Sequence, residues 1–166
     1  PAPVTPPSAG RVVDGYVSGA QVYQGATYIG ITDSTGNFDS SNITYDNSII
    51  TATGGTVIDT GLPNKLTLKA LAKTGSTVFV MSPLTTLVVE VVQVNPRLLA
   101  TANLFVANRL GIAEADIVKD PIKDLDDNND VSLYEICSNI NSLITTANTI
   151  SSNNNDTSAL FTGFAN

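Results

Sequence analysis

The oxygen-bearing side chains of this chain concentrate in one acidic segment: Asp124, Asp126, Asn128, Asp130, Ser132 and Glu135. They occupy positions one, three, five, seven, nine and twelve of a twelve-residue stretch. A helix–loop–helix site wraps one hard divalent cation with that spacing. In such a site Asp130 would serve through its backbone carbonyl, Ser132 through water and Glu135 as a two-oxygen ligand. Val131, at position eight, is the apolar residue that anchors such a loop. Asn129 stands at position six, where glycine is usual; asparagine is the least costly substitute if φ must be positive. The spacing predicts a calcium loop over 124–135 that stabilises the fold. The plainer alternative is a solvated segment whose Asp and Asn side chains cap helices.

Other chemistry finds few groups. The sequence has no histidine and one cysteine, Cys137, so zinc, haem and imidazole acid–base catalysis lose their usual residues and no intrachain disulfide can form. No Gly-x-Ser-x-Gly elbow is present, and no glycine-rich loop leads into Lys–Ser/Thr. Asp59 and Glu90 have no spacing that pairs them for glycoside hydrolysis. Cys137 falls on the apolar face of its helix and is expected to be buried. Asp33–Ser34–Thr35–Gly36–Asn37 is a strong turn. Tyr16, Tyr23, Tyr28 and Tyr45 suit either strand packing or stacking on sugars. Lys65, Lys69 and Lys73 suit a strand edge guarded by charge. Eight basic residues against fifteen acidic give a net charge of −7. That field repels phosphate backbones, so nucleic acid is not an expected partner. The apolar runs are too short for a transmembrane helix.

Positioning falls to two kinds of element. Residues 11–81 carry short Thr/Val/Ile-rich runs separated by Gly54–Gly55, Asp59–Thr60–Gly61 and Lys73–Thr74–Gly75–Ser76, as antiparallel strands require. At Ser82–Pro83 the period changes. Ser82 can cap a helix, Pro83 fits its first position, and Leu84, Leu87, Val88, Val91 and Val92 form a stripe. Asn95–Pro96 ends that helix and can start the next, which Gly111 closes. Another helix is expected over Ser132–Ile150 and a short closing one over Ser158–Phe164. Residues 1–10 are proline-rich, lack the regions of a signal peptide and are expected to form a stiff tether. The expected class is α+β: an antiparallel β-sandwich over 11–81, then a packed helical subdomain over 82–166 that carries the 124–135 loop.

Val13–Asp14–Gly15–Tyr16–Val17–Ser18–Gly19–Ala20–Gln21–Val22–Tyr23 and Thr32–Asp33–Ser34–Thr35–Gly36–Asn37–Phe38 resemble the carboxypeptidase-regulatory-like, or transthyretin-like, β-sandwich modules of exported bacterial surface proteins and adhesins. Gly54–Gly55 through Ser82–Pro83–Leu84–Thr85–Thr86–Leu87 looks like a variant with a helical extension. The resemblance implies a secreted or surface-attached, non-enzymatic structural or adhesive module, part of a fibre or larger adhesin, with other surface proteins or copies of itself as partners. A carbohydrate- or peptide-binding module is the alternative. The resemblance carries no catalytic residues, and it lends no support to calcium at 124–135.

Overall fold

The structure, a computed structural model, describes residues 5–154 and 158–165, and the side chains among them outside 151–154 and 158–160. Alternation of buried and exposed residues makes the strands. Ile50 and Ala52 point inward from β6 (Ile49–Thr53), and Leu68 and Ala70 do so from β8 (Leu68–Leu71). Val22 on β3 (Gln21–Gln24) faces Ala52, which in turn faces Leu68, so the register keeps one side of the sheet apolar. With β4 (Thr27–Ile31) these strands form a four-stranded sheet in the order β4-β3-β6-β8.

A second sheet has the order β5-β1-β9, from β5 (Asn37–Asp39), β1 (Ala9–Val12) and β9 (Phe79–Met81). β2 (Val17–Ser18) pairs with β7 (Thr56–Val57) in a two-stranded sheet. Among the described residues every strand pairing is antiparallel except β1 with β9, which run parallel with Gly10 beside Phe79 and Val12 beside Met81. The protein is therefore a mixed α+β fold, a largely antiparallel strand region in three sheets followed by helices. β1 opens at Ala9, and Ser40 hydrogen-bonds the carbonyls of Pro7 and Ser8, so the tether expected to residue 10 is already tied into the fold there. Its first four residues lie outside the described ones.

The helices follow from their caps. Ser82 caps α1 (Pro83–Val94) in a reciprocal box with Thr85. From Pro83 to Val92 every residue except Glu90 is buried, so α1 is apolar almost all round and forms the central rod of the core. A 3-10 turn at Pro96–Leu98 replaces the start expected for the next helix, and α2 (Ala102–Leu110) begins a turn later. Gly111 closes α2 in the left-handed conformation. A further 3-10 turn (Glu114–Val118), α3 (Pro121–Asn128), α4 (Ser132–Asn154) and α5 (Ser158–Ala165) complete the chain. Val12, Phe38 and Phe79, then Val22, Ile50 and Leu68, then Leu84, Leu87, Ile140, Ile144 and Phe161 all belong to one apolar cluster. The change of period at residue 82 is a change of secondary structure within one continuous core.

Thr85 and Thr86 join the two regions. Both are buried, at 5% and 1% exposure. Thr85 Oγ1 donates to the Lys69 carbonyl at 2.7 Å, and the Lys69 N–H donates to Thr86 Oγ1 at 2.9 Å. Two hydroxyls from the first turn of α1 thus satisfy Lys69 on the edge of β8, where another strand could otherwise add.

Candidate functional site at the seam of strands and helices

The acidic segment folds differently from the twelve-residue loop expected of it. Asp120 caps α3, its Oδ1 accepting from the Ile122 and Lys123 N–H groups at 3.0 and 3.1 Å, and Pro121 follows at the first helical position. Helix then continues through Asp124, Asp126 and Asn128. Asn128 donates to Asp124 at 2.7 Å, and Lys123 pairs with Asp127 one turn away. Asp126, two residues from Asp124, projects from another side of α3; its charge is felt at Tyr16, whereas that of Asp124 is felt at Lys119. Asn129 does adopt positive φ, at 52°, as the left-handed cap that ends α3. Asp130 then accepts from the Ser132 N–H at 2.9 Å, and Glu135 lies in the exposed first turn of α4. Among the described residues no three Asp, Glu, Cys or His side chains converge as a metal site. Counter-charge comes from the chain itself. Arg11, Lys119 and Lys123 pair with Asp120, Asp116 and Asp127.

Arg11 reaches further than the other two. From β1 its Nη1 donates to Asp120 Oδ2 at 2.9 Å and to the Tyr16 hydroxyl at 3.0 Å, while its Nε donates to Asn37 at 2.9 Å. The Tyr16 hydroxyl donates to the same Asp120 oxygen at 3.0 Å. Burial, reinforced by the Asp120 charge and hydrogen bond, pushes the Tyr16 phenol up to about 12. This knot fixes the N-terminus of α3 against the strand region.

Beside it lies a cleft of about 220 Å³. The β1–β2 turn supplies Asp14 and Gly15, and the loop after β7 supplies Asp59 and Thr60. Helix starts contribute Pro83, Pro121 and Ile122, and α4 contributes Tyr134, Ser138 and Asn141. Gly15 has φ +60°, and a Cβ there would come within 2.6 Å of Val57, so the turn can approach the β7 side only as glycine. Asp14 accepts a hydrogen bond from the Asn141 side chain. Burial raises its carboxyl above the usual value of 3.8, and the Asn141 bond offsets part of that. Tyr134 stands 45% exposed at the mouth, with Ile58 and Leu62 exposed on the neighbouring loop. Cys137 also lines the cleft, and burial pushes its thiol up to about 12, which keeps it protonated and a poor nucleophile.

Sequence spacing gave no sign of this cleft. Asp14 and its hydrogen-bond partner Asn141 lie 127 residues apart, beyond the reach of any local pattern. No protein-family model matches the chain, and no curated protein or solved structure is significantly similar to it.

Proposed function

We propose that the chain is an exported, non-catalytic adhesive or structural module that holds a partner at its strand–helix seam, with a strand region that varies the transthyretin-like sandwich. One observation carries this reading: the seam is pinned by the Arg11–Tyr16–Asp120 knot, and it frames a cleft whose groups are suited to hydrogen bonding and charge pairing. Elsewhere Asp33 accepts from Thr35 and Asn37 within a turn, Ser82 and Thr85 cap α1, and Lys69 pairs with Glu90 to tie β8 to α1. Among the described residues no helix is long and apolar enough to cross a membrane. The test is adhesion. Beads coated with the chain should resist flow on protein-coated surfaces and lose that resistance with Asp14→Asn/Asp59→Asn. Detachment equal to that of bare beads overturns the reading.

A glycan surface is the second reading. It is favoured by Tyr28, 54% exposed on β4 and packed edge-on to Tyr23 with ring centroids 5.5 Å apart. Retention on glycan-coated surfaces that Tyr28→Ala abolishes would select it. Calcium would join the module only if the last turn of α3 unwound and released the Asp124–Asn128 and Lys123–Asp127 pairs. Melting with and without calcium, in the native chain and Glu135→Gln, tests that step.

A further inference from the structure

We infer that the seam cleft takes a lysine side chain of a partner protein, with its ammonium between Asp14 and Asp59 and its aliphatic stem along Pro83, Pro121 and Ile122. This deepens the reading of the chain as a partner-holding module and rests on it.

Size comes first. At about 220 Å³ the cleft is smaller than the roughly 300–1,000 Å³ pockets that enclose drug-sized ligands, so it fits one side chain better than several sugar rings. Charge comes second. Asp14 and Asp59 both line the cleft and no lysine or arginine does. Asp14 is partly buried, and its hydrogen-bond partner is the neutral amide of Asn141. A carboxylate held there is better compensated by an arriving cation than by an amide alone. Asp116 in the 3-10 turn and Asp127 on α3 offer a contrast, because each pairs with a lysine of this chain, whereas no lysine or arginine lines the cleft. Shape comes third. Val57, Pro83, Pro121 and Ile122 give the cleft an apolar side opposite polar groups such as Ser138 and Asn141, and Tyr134 stands 45% exposed among its lining residues, which suits an amphipathic stem carrying a charge at its tip. A net charge of −7 also favours approach of a cationic partner.

The probe is Nα-acetyl-lysine methylamide, titrated into the full chain and followed by the Asn141 side-chain amide and the Ser138 backbone amide in NMR spectra. Nα-acetyl-norleucine methylamide, which keeps the stem and lacks the charge, is the control. Saturable shifts at the cleft are expected with the lysine compound. The norleucine compound, and each of Asp14→Asn and Asp59→Asn, should weaken binding about tenfold or more. Asp59 is exposed, so its variant tests the cleft without challenging the fold. Equal binding of the two compounds, or shifts centred on Asp124 and Asp127 instead, overturns the inference. Self-association of the chain that Asp59→Asn abolishes would make the occupant a second copy and overturn the assignment to a foreign partner. A chain that adheres to protein surfaces without binding the lysine compound loses this inference and keeps the module reading. Lysine binding at the cleft without adhesion does the reverse.

Discussion

Two segments of this chain are dense in side-chain oxygen, and they behave in opposite ways. Ser82–Thr85–Thr86 is buried, and the Thr85 and Thr86 hydroxyls bond Lys69, sixteen and seventeen residues back on β8. Asp124–Glu135 is mostly exposed, and its side-chain bonds stay within four residues: Asn128 to Asp124, Lys123 to Asp127, Ser132 to Asp130. The first segment holds a helix to a sheet edge and the second finishes two helices. Asp120 is the informative exception, since it caps α3 locally and binds Arg11 and Tyr16 more than a hundred residues away. Reach through the fold, more than the density of oxygen, separates a residue that holds the structure together from one that decorates it.

The sharpest way to break this comparison is at Asp120. Asp120→Ala removes a helix cap and leaves Arg11 and Tyr16 without their shared carboxylate, with an expected loss of about 3 kcal/mol in denaturant unfolding. Asp120→Asn keeps the cap and should lose less. Thr85→Val, nearly isosteric, strands the Ser82 N–H and leaves the Lys69 carbonyl only the Thr86 hydroxyl at 3.4 Å, and should cost about 2 kcal/mol. Next is an alkaline effect. The Tyr16 phenol is raised in the folded state, so its contribution is complete below its ordinary value of 10 and is lost as pH rises through about 12. Tyr16→Phe should remove the last phenolate step from the ultraviolet titration and flatten stability over that window. Asp14 supplies the acid counterpart. Its raised carboxyl makes the folded state bind protons more readily, so stability falls as pH rises from about its ordinary 3.8 through the raised value. Asp14→Asn should abolish that decline. The smallest effects belong to the exposed acids: Asp126→Asn and Glu135→Gln should each stay within about 0.5 kcal/mol. A calcium-dependent rise in melting temperature that Glu135→Gln removes would break the comparison by giving the acidic segment a shared partner.

Local physics made much of this legible from the residues. Ser82–Pro83 does start a helix, Gly111 does end one, and Asn129 does take positive φ, because a cap is decided by a few neighbouring residues. The same locality explains the difference over 124–135. A cation loop and a capped helix can share one spacing of oxygen atoms. Asp120–Pro121 and the pairs one turn apart favour the helix. What spacing could not convey was pairing at a distance. Strands of two to five residues carry too little pattern to announce that β1 lies between β5 and β9, or that the turn at Asp14 meets α4. The cleft was hidden for that reason, since its walls come from five places in the chain.

The parallel pairing of β1 with β9 bears on how the molecule assembles in time. β1 can meet β5 once about thirty residues beyond it exist, yet its other flank has no mate until Phe79–Met81 has been made. Closing a loop of that length slows the step more than it weakens the product. An early intermediate should therefore hold a half-finished sheet with an open side. Protection of the Val13 amide, which donates to the Met81 carbonyl, later than that of the Val12 amide, which donates to Gly36, would time that gap directly in pulsed hydrogen exchange.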